Sequence, residues 1–153
     1  MNIVFDLDGT LADTAHRIHF LEQDPKDWDA FFAQATYDIP IQATRRLFRT
    51  LMQVKGFGNL AIWTARPERC RADTVCWLRR HDLWLPDMYG RIPEEDVLRM
   101  RPDDDRRHDT VLKAQWLEES PWKPDLVFED RTRMVDLWRS QGITCYQVAP
   151  GDF

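Results

Sequence analysis

The sequence predicts an α/β fold, a Rossmann-like three-layer sandwich around a mostly parallel central sheet. Three short apolar runs carry that expectation: Ile3-Val4-Phe5, Leu60-Ala61-Ile62-Trp63 and Leu126-Val127-Phe128, each stopping at a polar residue. Such runs suit strands buried on both faces. Segments with helical spacing lie between them, and that alternation points to a parallel sheet covered by helices.

The first strand stops at Asp6. Residues 11–41 then hold Ala15 to Leu21 and Trp28 to Phe32, and close near Pro40; they read as a small helical insert within a single domain spanning 1–153. Leu47, Phe48, Leu51 and Met52 form one helical stripe, with Gly56 as its stop. The second strand stops at Thr64, and Pro67 suits the first turn of a helix running toward His81. Residues 82–108 are irregular, with Pro86, Pro93 and Pro102 as breakers and Val97-Leu98-Arg99-Met100 as a weaker strand. Val111, Leu112, Gln115 and Trp116 share a helical face. The third strand stops at Glu129-Asp130. Met134, Val135 and Trp138 face the core from the next helix, Gly142 stops it, and Ile143-Thr144-Cys145-Tyr146 is a last weak strand.

Composition narrows the function. Apolar residues make up 43% of 153, which supports a folded core, and the net charge of -5 argues against a general nucleic-acid binder. Only Lys26, Lys55, Lys113 and Lys123 are lysines, so most of the cations are arginines, the planar phosphate binders, although a composition bias explains this equally well. Cys70, Cys76 and Cys145 show no metal-ligand spacing and fit reduced thiols, hence a cytoplasmic protein. Neither a signal peptide nor an apolar run long enough to cross a bilayer is visible.

The sharpest local signal is Asp6-Leu7-Asp8-Gly9-Thr10 directly after a buried strand. Two carboxylates two residues apart suit covalent phosphoryl transfer, one attacking phosphorus and the other giving a proton to the departing oxygen. Their proximity is expected to raise the proton affinity of one, keeping an acid protonated. Gly9 lets backbone N–H groups approach a phosphate. Thr64 offers a hydroxyl to phosphate, or a cap to the following helix; Lys113 offers charge neutralisation, or is a surface lysine; Glu129-Asp130 completes a Mg²⁺ site with Asp6, or caps a helix. In an open parallel sheet all of these strand ends converge on one crevice.

Those residues resemble the four signature motifs of the haloacid dehalogenase superfamily: Asp6-Leu7-Asp8-Gly9-Thr10-Leu11-Ala12-Asp13, then Thr64, Lys113 and Glu129-Asp130. The resemblance implies Asp6 as nucleophile, Asp8 as acid and base, and Thr64 and Lys113 as phosphate ligands. Asp6, Asp130 and the backbone carbonyl of Asp8 would be Mg²⁺ ligands. Gly9, Thr10 and Ala65 belong to the implied phosphate-binding set. The chain from Phe128 to Arg139, the segment from Cys145 to Phe153, Arg17, Arg66 and the pair Asp109 and Lys113 look like the phosphatase half of phage-type polynucleotide kinase–phosphatases. That likeness implies removal of 3′-phosphates from polynucleotide ends, with Arg17 and Arg66 near the substrate phosphate and Asp109 orienting Lys113. Two positions depart from the pattern: Glu129 stands where Asp is usual, so that it could reach a metal through water, and Thr64 where Ser is common. The sequence contains no Gly-x-x-x-x-Gly-Lys-Ser/Thr loop, so ATP-dependent 5′-phosphorylation is not expected of it, and a separate kinase or ligase would be the implied partner.

The residues beside these motifs have two readings each. Arg99, Arg101, Arg106 and Arg107, broken by Asp103-Asp104-Asp105, read first as a solvated loop with internal ion pairs and second as a guide for a nucleic-acid backbone. Trp28, Phe31 and Phe32 read first as packing of the insert and second as base-stacking groups. His16 and His19 read as helix-surface residues, or as groups touching substrate. A short insert in place of a large cap leaves the crevice open, as a polymer end requires. The alternative function is a phosphatase of the same superfamily acting on mononucleotides or other small phosphorylated metabolites. A non-catalytic interaction domain and a DNA-binding module are disfavoured, the first by the full motif set and the second by the acidic balance.

Overall fold

Ile3-Val4-Phe5 has no polar face to offer water and must be covered above and below. In the computed structural model, which describes residues 1–54, 58–86 and 93–151, it forms β1 (Ile3–Phe5) at the centre of a five-stranded sheet. β4 (Leu60–Pro67) and β6 (Leu126–Arg131) flank it, with β5 (Leu98–Arg101) beyond β4 and β7 (Thr144–Gly151) beyond β6. All four pairings are parallel.

The side-chain period of two divides each strand between two cores. Ile3, Phe5, Ile62 and Phe128 point to one, and Val4, Ala61, Trp63 and Val127 to the other. Helices α3 (Gln42–Met52) and α4 (Arg71–Arg80) cover the first through Phe48, Met52, Val75, Trp77 and Leu78. Helices α6 (Asp109–Glu119) and α7 (Thr132–Ser140) cover the second through Leu112, Trp116, Leu117, Met134, Val135 and Trp138. Phe5 stacks on Phe128 at 4.3 Å and meets Phe48 edge-on at 5.1 Å. Each fully buried ring of this kind contributes about 1.5–3 kcal/mol of burial, so the end of β1 is fixed where its polar residues begin.

The chain leaves β1 toward β4 and β5, then returns to the other side for β6 and β7. β1 is therefore the point where the winding reverses, and the crevice opens at its carboxyl end. Over that end lies the insert. β2 (Ala12–Asp13) and β3 (Ile39–Pro40) pair antiparallel and bracket it, and it holds α1 (His19–Glu22), α2 (Trp28–Ala33) and two short 3-10 turns. The Trp77 indole N–H donates to the Asp38 carbonyl at 2.8 Å and ties the insert to α4.

Three expectations change. Pro67 does not open a helix: it ends β4, opposite Arg101 across a bulge, where its missing N–H costs the ladder little. A 3-10 turn over Glu68–Cys70 follows, and α4 begins at Arg71. On α6 the buried face is Asp109, Leu112, Lys113, Trp116 and Leu117, one step round from the apolar stripe, and Val111 is 48% exposed. Within residues 82–108 the strand Leu98–Arg101 is preceded by the single-turn α5 (Glu94–Val97). Gly142 does stop α7, at φ 75°, with the Ile143 N–H donating to the Trp138 carbonyl at 3.0 Å. Gly56, residues 87–92, Asp152 and Phe153 lie outside the described residues.

Candidate active site

β1 delivers Asp6 to the crevice, and the Asp6 N–H donates to the Phe128 carbonyl at 2.9 Å, placing it beside the end of β6. The chain then turns sharply: the N–H groups of Leu11 and Ala12 both donate to the Leu7 carbonyl, at 2.9 and 2.8 Å, and Gly9 stands at φ 84°. A methyl at Gly9 would lie 2.5 Å from Cγ of Asp130 and nearer still to Oδ2. Glycine is needed here twice over, for the positive φ and for the room it leaves the Asp130 carboxylate.

Asp8 is held by two buried arginines. Arg17 Nη2 donates to its Oδ1 at 2.6 Å, and Arg66 donates to it through Nη2 at 2.5 Å and through Nε at 3.1 Å. Both arginines also donate to Asp38, Arg17 at 2.7 and 2.6 Å and Arg66 at 2.8 Å, and His16 Nε2 lies 3.0 Å from the same carboxylate. Burial works against the Asp8 charge, but the two guanidiniums outweigh it and hold the carboxyl well below the usual range. This reverses the expectation that Asp8 is the member of the pair kept protonated. It also moves Arg17 and Arg66: they are 0% and 1% exposed and sit behind Asp8, not on the crevice wall.

Lys113 reaches in from α6, with Nζ 2.5 Å from Asp6 Oδ1 and 2.9 Å from Glu129 Oε2. Burial opposes its charge, and Asp6 and Glu129 together more than restore it. Glu129, not Asp109, is thus its second partner. Asp109 instead accepts from Arg131 at 2.7 Å and from Arg133 at 3.2 Å. Burial disfavours the Asp109 charge, but these two arginines keep it far below the ordinary carboxylate range.

Asp6, Glu129 and Asp130 are all buried, and each offers an oxygen within 4.8 Å of the others. Burial first, then the Glu129 charge, pushes Asp6 up to about 7; burial, then Asp6, pushes Asp130 up to about 8. Asp130 Oδ1 is buried with no hydrogen-bond partner among the described residues. Three crowded carboxylates, one with an orphaned oxygen, form a hard-oxygen donor set that fits a small divalent cation such as Mg²⁺.

The crevice above has a volume of about 350 Å³. Asp6, Asp8, Thr64, Ala65, Asp109, Lys113 and Glu129 line it. Thr64 Oγ1 accepts from the Arg66 N–H at 3.2 Å, and the Ala65 carbonyl accepts from Arg101 Nε at 3.1 Å. Gly9 and Thr10 do not line it. Thr10 is fully buried, and its carbonyl accepts from the Thr44 hydroxyl at 2.5 Å. The insert adds Lys26, Trp28, Phe31 and Phe32 to the wall, and the segment before α6 adds Arg101, Arg106, Arg107 and His108. Ion pairing within that segment is partly as expected: Arg107 pairs with Asp105 at 2.5 Å, and Arg99 pairs with Glu119 on α6. Arg69 bridges insert and segment, donating its guanidinium to Asp29 at 2.6 Å and its backbone N–H to the Asp103 carboxylate at 2.8 Å. Asp38, Arg131 and Arg133 are the site residues that the motifs do not reveal.

Solved structures resemble this fold. A haloacid dehalogenase-like family hydrolase from Streptococcus pneumoniae aligns at TM-score 0.58 and 15% identity, covering 95% of this chain and 83% of its own. The fold is thus that of the haloacid dehalogenase-like hydrolases. Over residues 1–153 the sequence matches the family model for the polynucleotide kinase PNKP phosphatase domain, and the chain belongs to that family. Two structures of the Pnkp1/Rnl/Hen1 complex, one described as an RNA repair complex, each align at TM-score 0.75 over 99% of this chain, at 25% and 24% identity. The chain spans 43% and 47% of those matched chains, less than half of each.

Proposed function

We propose that the protein is a Mg²⁺-dependent phosphomonoesterase that removes 3′-phosphates from polynucleotide ends through an aspartyl-phosphate on Asp6. One observation carries the reading: the Lys113 ammonium lies 2.5 Å from the Asp6 carboxylate in the same pocket where Glu129 and Asp130 gather. An Asp6 oxygen attacks phosphorus and the bond to the sugar oxygen breaks. Asp8, which takes up a proton from solvent once the phosphate is bound, gives it to that oxygen, then takes one from the water that cleaves the acyl phosphate, releasing inorganic phosphate. Lys113 and the Thr64 hydroxyl hold the transferring group. Asp6, Asp130 and the Asp8 carbonyl would hold Mg²⁺, with Glu129 beside them; when bound, the ion supplies charge neutralisation to the phosphate oxygens.

Arg17 and Arg66 keep Asp8 ionised at rest, the form required of the base. A phosphate dianion beside Asp8 repels its charge and attracts both arginines, which raises its proton affinity for the first step. Asp8→Asn should therefore lower turnover of alkyl phosphates by about 10²–10⁴-fold. The loss should shrink on nitrophenyl phosphate, whose leaving group needs no proton; an equal loss on both substrates would remove Asp8 from the acid role.

Stability should report the metal without any turnover. Asp6 and Asp130 bind protons more tightly folded than unfolded, so their contribution to metal-free stability is fully present below about pH 4 and is lost as pH rises through about 7 and 8. Mg²⁺ at about a hundredfold over Kd adds ~2.7 kcal/mol, roughly 5–10 °C in Tm for a chain of this size. The gain should be larger at pH 8 than at pH 5, measured by thermal denaturation with and without chelator. A gain independent of pH would place the ion elsewhere.

The resemblance to a chain from an RNA repair complex supports nucleic-acid ends as the setting, and a separate kinase or ligase partner belongs with that reading. No helix among the described residues is long and apolar enough to cross a membrane, and the proposed location is cytoplasmic. The deciding assay measures phosphate release from 3′- and 5′-phosphorylated oligonucleotides, 3′-mononucleotides and sugar phosphates, with and without Mg²⁺. Preference for the 3′-phosphorylated oligonucleotide is expected. Preference for the small esters would favour a metabolite phosphatase.

A further inference from the structure

Trp28 lines the crevice, yet the proposed chemistry gives it no task. It is the first residue of α2, whose opening turn is pinned by Asp27 accepting from the Ala30 N–H at 2.9 Å. Trp28 is 41% exposed. Phe31 meets it edge-on at 5.9 Å, and Phe32 lies within 25° of parallel at 5.9 Å. The Arg17 guanidinium sits 4.0 Å from the Phe31 ring centre, and Arg17 grips Asp8 at 2.6 Å. Two side chains in contact thus connect Trp28 to Asp8, so the ring is set rigidly with respect to the reacting end of the crevice. Lys26 and Arg106 line the same crevice, Lys26 with Nζ 5.8 Å from the Trp28 ring centre, and neither pairs with a carboxylate among the described residues. An exposed indole and two cations without a carboxylate partner among the described residues, lining the same crevice as Asp6 and Lys113, suit a polyanion that carries flat rings.

Building on the 3′-phosphatase reading, we propose that Trp28 is the stacking platform for the base of the phosphorylated terminal nucleotide, with Lys26 and Arg106 taking the phosphodiester next to it. Every base has a π face, so such a platform selects for the presence of a base and not for its identity. It would give an open crevice discrimination that a large closing cap supplies in other designs.

The test compares kcat/KM on a 3′-phosphorylated oligonucleotide with that on the same end made abasic. The wild-type protein should prefer the base-bearing end, and Trp28→Ala should reduce that preference by about tenfold or more, the usual worth of a base–aromatic stack. Trp28→Phe should retain most of it. A purely structural Trp28 would lower both rates together; a preference unchanged in Trp28→Ala would overturn the proposal. If the wild-type protein cleaves neither oligonucleotide but does cleave small esters, the polynucleotide reading falls alone. The same comparison made with a 3′-mononucleotide and ribose 3-phosphate then decides the role of Trp28.

Discussion

Asp6→Asn is expected to lower phosphate release by about 10⁴-fold or more, because an amide cannot form the covalent intermediate. The fold should not suffer. Asparagine keeps the volume and an oxygen for Lys113, and Glu129 still pairs that ammonium at 2.9 Å. The substitution also removes a charge that burial and Glu129 already disfavour. Metal-free Tm at pH 8 should therefore hold or rise while turnover disappears, the usual opposition between a strained site and stability. Phosphate release and thermal denaturation measured on the same preparation check both halves. Turnover near the wild-type level would remove Asp6 as nucleophile, and a large fall in Tm would mean that the lost activity reports unfolding.

Asp38→Ala should have the largest effect on stability. The Asp38 side chain is fully buried and accepts from both Arg17 and Arg66. Without it two buried guanidiniums share Asp8 alone. Breaking a buried ion pair from one side costs about 3–5 kcal/mol, which predicts a fall in Tm of roughly 10 °C or more. Asp38→Asn should recover part of this, since one acceptor oxygen remains. A shift of only a degree or two in Asp38→Ala would show that the arginines are satisfied without it. Asp38 touches no reacting group, so it is a positioning residue, and its loss should also disturb the aim of Asp8.

β1, β4 and β6 could be read from the sequence because burial on both faces leaves no polar position in their centres. The edge strands were harder. β5 alternates buried and half-buried residues over only four positions, and β7 runs on through Gln147 and Pro150, where apolar pattern is absent. The face of α6 was read one step out for a specific reason. Lys113 is buried, drawn in by Asp6 and Glu129, and a helix that turns a lysine inward cannot also bury Val111. Asp6, Asp8, Lys113, Glu129 and Asp130 were legible because their chemistry depends on spacing and on strand ends. Asp38 was not: a lone aspartate in a short insert carries no periodicity, and its value appears only when residues 17, 38 and 66 meet in space. The partners of Asp109 were hidden likewise, since Arg131 and Arg133 reach it from a different strand and helix.

The quartet of Asp8, Asp38, Arg17 and Arg66 is electrically closed, two anions against two cations. It contributes almost nothing to the long-range field of the crevice. The neighbouring cluster does: fully ionised, the three carboxylates Asp6, Glu129 and Asp130, less one ammonium, Lys113, would leave a surplus of two negative charges, which proton uptake by Asp6 and Asp130 reduces near neutral pH. On the proposed function, an anionic nucleic-acid end approaching the ionised cluster would be repelled, whereas a dication would cancel that charge and leave the cationic rim to attract. On that same proposal, the division of charge between the two clusters favours a sequence of arrivals, cation before phosphate.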